Sequence, residues 1–129
     1  MVRRLVFLLA VMATMAALVA PAIAHRPSGI EGAVVNTTCP GPCIYPPPPA
    51  PLYAGDGLTV EFRRLKDDVL VAVRHPTNGH FRARLKRGRY DVSASVAGGR
   101  CWQGDTAQVK VRRHHFSHVD LSVQNTCVV

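Results

Sequence analysis

Acidic residues are scarce in this 129-residue chain: eight Asp plus Glu stand against sixteen Lys plus Arg, a formal charge of +8 with neutral histidine. The carboxylates are mostly scattered singly, and Asp67-Asp68 reads as a turn pair, so acid–base chemistry by paired carboxylates has little to work with. No Gly-x-Ser-x-Gly turn occurs. Ser93, Ser95, Ser117 and Ser122 fall mostly on outward strand positions, without the base and orienting group that a nucleophile needs. Nothing in the chain asks for a cofactor, and the expectation is a protein that is not an enzyme. A helical stripe is missing too, since the apolar residues after Gly29 recur with period two nearly everywhere. Aromatic residues do not interleave with the basic ones, which removes base stacking and with it specific recognition of nucleic acid.

What is present begins with Arg3 and Arg4, an apolar run from Leu5 to about Ala20, and Ala22-Ile23-Ala24 as a small-x-small cleavage site. This order predicts a cleaved signal peptide over residues 1–24. A retained anchor would need about 18 or more apolar residues without such a site. No cysteine stands at the cleavage point, so a lipid anchor is not expected. The remaining 129 − 24 = 105 residues, 25–129, make one small domain of charge 14 − 8 = +6. The expected destination is extracellular or periplasmic, with no membrane attachment after cleavage.

Cys39, Cys43, Cys101 and Cys127 all follow the signal, and an even count in a small exported domain reads as disulfides, with three connectivities open. Zinc fits poorly, because Cys39-x3-Cys43 and two cysteines far apart do not repeat a knuckle.

About seven strands are predicted. The first is Gly29 to Val35. Residues 39–57 hold seven prolines and predict a long surface loop, since proline lacks the amide donor that strand pairing uses. Leu58 to Leu65 points Leu58, Val60 and Phe62 inward. Val69 to His75 follows a Lys66-Asp67-Asp68 turn, with Val69, Val71 and Val73 expected inward. Asn78-Gly79 supplies a tight turn. Beyond it Phe81, Ala83 and Leu85 alternate with Arg82, Arg84 and Lys86, and after Gly88 the series Tyr90, Val92, Ala94 and Val96 alternates with Asp91, Ser93 and Ser95. Whether these two strands pair or cross to opposite sheets is open. The last two, Thr106 to Val111 and Ser117 to Val123, are expected to form a hairpin about His114, with Val109 facing Val119 and Ala107 facing Leu121. The same register sets Cys101 opposite Cys127, near the ~4.5 to 5.5 Å that a cross-strand disulfide requires. Cys39 with Cys43 would then clip the Pro-Gly-Pro turn, and Trp102 is expected to cover the Cys101 bridge.

Thr77, Asn78, Gly79, Phe81, Leu85, Gly88, Tyr90 and Val92 together resemble a signature of the carboxypeptidase regulatory-like family, whose domains are transthyretin-like (prealbumin-like) β-sandwiches. Arg87 stands where that family usually has proline. The first strand and the closing segment extend the resemblance over most of residues 29–123. It implies an all-β, seven-stranded antiparallel sandwich, Ig-like in outline, serving as a spacing or binding module without catalysis. The enzymatic branch of the fold, the hydroxyisourate hydrolases, ends in Tyr-Arg-Gly-Ser beside active-site histidines, whereas Asn125-Thr126-Cys127 stand in the corresponding place here.

Two groups remain as candidate binding residues. Arg82, Arg84, Lys86, Arg87, Arg89, Lys110 and Arg112 could form a positive stripe if their strands are neighbours, suited to an anionic cell-surface polymer. The alternative for the same face is solvation and protection of a sheet edge. His114, His115 and His118 form the densest histidine group. A metal would draw on them, but their strand parity differs and the expectation is an exposed basic turn. The expected partner is an anionic polymer or another extracellular protein.

Overall fold

The computed structural model describes residues 26–39, 43, 45–46, 48–98 and 100–127, so the expected signal peptide and parts of the proline-rich loop lie outside the described residues. Among the described residues there is no helix, and eight strands form rather than seven. They are β1 (Gly29–Asn36), β2 (Leu58–Arg64), β3 (Val69–Arg74), β4 (His80–Arg84), β5 (Gly88–Val96), β6 (Trp102–Gly104), β7 (Thr106–Val111) and β8 (Phe116–Asn125). The additional strand, β6, has three residues, too few for alternation to announce it.

Two four-stranded sheets face each other. The first has the order β4-β1-β8-β6 and the second β3-β2-β5-β7. All pairings are antiparallel except β1 with β8, which run parallel from Gly29↔Phe116 to Asn36↔Val123. Alternation explains the core. Ile30 and Val34 from β1, Leu58, Val60 and Phe62 from β2, Phe81 and Ala83 from β4, Tyr90, Val92 and Ala94 from β5, and Leu121 and Val123 from β8 are all buried. Phe62 and Phe81 meet edge to face across the sandwich with ring centroids 5.9 Å apart. Burying a phenylalanine of this kind contributes about 1.5–3 kcal/mol.

The chain changes sheet between β4 and β5. The step is fixed by hydrogen bonds on both sides: the Leu85 amide donates to Ser28 O at 3.0 Å, the Ser28 hydroxyl donates to Leu85 O at 2.7 Å, and the Tyr90 hydroxyl donates to Lys86 O at 2.6 Å. Burial holds the Tyr90 phenol above its ordinary pKa, an effect the nearby Arg64 guanidinium partly offsets.

The expected hairpin of the last two strands does not form. β7 pairs with β5 in the second sheet and β8 with β1 and β6 in the first. The physical reason is that Val109 and Val111 as well as Leu121 and Val123 carry apolar inner faces, and strands in opposite sheets bury both sets against one core. The disulfide Cys101–Cys127 nonetheless forms, with Cα atoms 5.1 Å apart, as does Cys39–Cys43. Its register comes from β6 with β8, where Trp102 lies opposite Asn125 and the Thr126 amide donates to Cys101 O. After β6 the chain crosses to the second sheet at Gly104 and Asp105. A side chain at Gly104 would collide with Ala94 O.

The inward face of β3 also differs. A bulge between Phe62 and Arg63 leaves Val71 as the extra residue, so Ala72 lies opposite Phe62 against the core. Val69 and Val71 are exposed on this edge strand, and Val73 stands opposite Glu61, in the outward series of β2. Trp102 packs edge-on against the buried Tyr53 at 5.5 Å. Tyr53 belongs to the end of the proline-rich loop, which touches the sandwich at an isolated bridge, Val35↔Leu52, beside the β4 end of β1. Gly79, at φ 79°, makes the turn into β4 close to Tyr53 O and Val34 O, where a side chain would crowd both.

Candidate functional site

The sheet change after β4 splits the sequence's basic stripe in two. Arg82 and Arg84 lie on the outer side of the first sheet, whereas Arg89 and Lys110 lie opposite each other in the β5–β7 register of the second. The ladder ends at Gly88↔Val111, and Arg87 and Arg112 are the residues just outside its two strands. Four cations therefore gather as an array at this end of the β5–β7 pair. Arg113, at the start of the turn to β8, adds a fifth. All five side chains are exposed and line one groove of about 530 Å³ together with Gly88 and Val111. Among the described residues none of the five makes an ion pair. Asp91 stands on the same face but lies opposite Gln108 on β7 and Arg63 on β2. Like charges set directly opposite each other on neighbouring strands disfavour the fold. Lys86 is exposed in the connection between the sheets, where its backbone oxygen holds Tyr90.

The first-sheet face is built differently. The Arg82 guanidinium stacks over the Phe116 ring at 3.8 Å and stands 3.9 Å from Glu31. Glu31 lies between Arg82 and His118 on its neighbouring strands. His118 Nε2 is 2.9 Å from Asp120 Oδ1, which also accepts from the Ala33 amide at 3.2 Å. A shallow trough of about 470 Å³ runs over Gly32 and Ala33 between these groups and His80. Counted by formal charge, Arg82 and Arg84 are matched here by Glu31 and Asp120.

The three candidate histidines do not converge. His114 sits in the β7–β8 turn at φ 64° with Nδ1 3.0 Å from Arg26 O, His115 is bonded through its backbone to Arg112 and Gly29, and His118 faces Asp120 on β8. Among the described residues no three His, Cys, Asp or Glu side chains come together in an arrangement able to hold a metal ion. A bidentate ion pair lies beside this end of β5, where Arg64 stands opposite Tyr90 and the Leu65 amide donates to Arg89 O at 3.0 Å: Arg64 donates through Nε and Nη2 to both oxygens of Asp67 at the β2–β3 turn. That hydrogen bonding holds the Asp67 carboxyl below its ordinary pKa.

Arg87, Arg89, Lys110 and Arg112 are among the sequence's candidate binding residues, and Arg113, in the connection after β7, is not. The Arg-Arg pair at the start of the turn was the available signal. The neutralisation of Arg82 had no sequence signal, since it arises from strands brought together over long separations. No protein-family model matches the chain, and comparison with curated proteins finds no relative. Both disulfides are consistent with an extracellular or otherwise oxidising environment, and among the described residues no helix is long and apolar enough to cross a membrane.

Proposed function

We propose that this chain is a secreted, non-catalytic β-sandwich module of carboxypeptidase regulatory-like type that binds an anionic polymer outside the cell. The observation that carries the reading is the array of Arg87, Arg89, Lys110 and Arg112 with Arg113 beside it, because five cations share one groove and among the described residues none of them makes an ion pair. Guanidinium and ammonium groups that stay charged attract and position anions but offer neither a general base nor a nucleophile. Support for the family comes from the two facing sheets and from the matching positions: Gly79 in its turn, and Phe81, Leu85, Tyr90 and Val92 in the core. Support for export comes from the two disulfides and the N-terminal sequence. Cleavage after Ala24 makes His25 the first residue of the exported protein, which N-terminal sequencing checks.

Binding is tested on a heparin column. The protein is expected to be retained at low salt and released at moderate salt, as counterion release requires. Replacing Arg87, Arg89, Lys110 and Arg112 by Gln should abolish retention, while Arg82→Gln with Arg84→Gln should leave the elution position nearly unchanged. Equal losses in the two variants would sink the proposal.

A further inference from the structure

We infer that the outer edge of β3 is a self-association surface, on which a second copy of this chain docks antiparallel about a two-fold axis. The inference is independent of the basic array. Two open four-stranded sheets have four edges, and an unguarded edge invites contact with another chain. Three of the four are guarded. β4 alternates exposed His80, Arg82 and Arg84 along its length, and Arg82 O accepts from Arg74 Nε at 3.1 Å. β6 has only three residues and follows the Cys101–Cys127 bridge directly. β7 exposes Thr106, Gln108 and Lys110, and the Ser117 hydroxyl donates to Lys110 O at 2.6 Å. β3 has no such protection along its first half. Val69, Leu70 and Val71 are 44%, 42% and 36% exposed, and Leu65, just before the β2–β3 turn, is exposed as well. Four of the six large apolar side chains exposed among the described residues therefore gather at this one edge.

Charge selects the occupant. The segment Asp67 to His75 begins with two acids, continues through five apolar residues and ends in Arg74 and His75. A second copy laid parallel would set acid against acid and arginine against arginine. An antiparallel copy sets Asp68 of each chain toward Arg74 of the other, with the apolar residues of both between them. Asp68 is 85% exposed, with Arg63 Nε 3.8 Å away, and Arg74 donates to Val73 O and Arg82 O but among the described residues makes no ion pair. The bulge that leaves Val71 as the extra residue interrupts a regular backbone ladder, so side chains carry the contact and it stays small and weak. A two-fold contact uses the same edge of both copies and closes at two. β3 and β7 are opposite edges of the second sheet, so the groove beside β7 stays open in the pair.

The test is sedimentation equilibrium of the disulfide-intact protein over a wide range of concentration. A reversible monomer–dimer equilibrium is expected, without larger species, and added salt should weaken it. Val71→Lys should weaken dimerisation at least tenfold with the circular dichroism spectrum unchanged, because Val71 lies outside the core. Asp68→Asn, which suits the positive φ of 54° at that position, should weaken it about threefold at low salt. Monomer at every concentration overturns the inference. A dimer undiminished by Val71→Lys places the contact elsewhere and overturns it too. A dimer sensitive to Val71→Lys but not to Asp68→Asn overturns the antiparallel arrangement, and growth beyond the dimer overturns the two-fold closure.

Discussion

The two basic faces of this protein carry similar residues and treat them in opposite ways. On the first sheet the Arg82 guanidinium rests on Phe116 with Glu31 nearby, and that charge has a use within the fold. On the second sheet Arg89 lies opposite Lys110, and among the described residues neither makes an ion pair. Charge count alone does not distinguish the faces. What distinguishes them is what each cation meets, and that is decided by which strands the topology makes neighbours.

The largest effect that would disturb this contrast is loss of Cys101–Cys127. The bridge spans a sequence separation of 26 and encloses β6, β7 and β8, with Lys110, Arg112 and Arg113 among the enclosed residues. Cys101→Ser with Cys127→Ser should cost roughly 3 kcal/mol in denaturant unfolding, by a chain-entropy argument. Cys39→Ser with Cys43→Ser should cost clearly less, because it closes a separation of only 4. Equal costs would mean that the long loop is not what the second bridge constrains.

The separation of the faces depends next on the chain segment between β4 and β5, which the Tyr90 hydroxyl ties down through Lys86 O. Tyr90→Phe should cost about 1 kcal/mol at neutral pH. Because burial raises the phenol's pKa in the folded state, its contribution is complete below the ordinary tyrosine value of 10.0 and is lost as pH rises through the raised one. Stability of the wild type should therefore fall above about pH 10, and the Phe variant should lack that part of the decline in pH-dependent chemical unfolding.

Smallest in energy, and sharpest for the comparison, is a difference of sign. Arg82→Gln should destabilise by about 0.5–1 kcal/mol through the lost cation–π contact. Lys110→Glu, by replacing a like-charge pair with an opposite one, should stabilise by about 0.2–1 kcal/mol. Thermal unfolding of the two variants reads both. Shifts of the same sign would remove the distinction between the faces.

Much of this architecture was legible in the sequence because period-two alternation reports which side chains are buried: Phe62, Phe81, Leu85, Tyr90 and Val92 all lie where the pattern puts them. Alternation is silent about partners. It gave Val109 and Leu121 inward faces without revealing that they belong to opposite sheets, and it drew the cysteine pair together through a hairpin that does not form. On β3 a single bulge reversed the inward face, which no count of apolar residues reveals. The candidate site was half legible for the same reason. The cations were identifiable, but their division between an engaged face and an unengaged one depends on pairings such as Glu31 with Arg82 and Arg89 with Lys110.

The most direct test is a titration of the isotope-labelled protein with a heparin oligosaccharide followed by amide chemical shifts. Perturbations are expected to concentrate at residues 87–89 and 110–113, with residues 29–33, 80–84 and 116–120 of the first sheet nearly unmoved. Shifts centred on Arg82, Arg84 and His118, or spread evenly over both faces, would contradict the account.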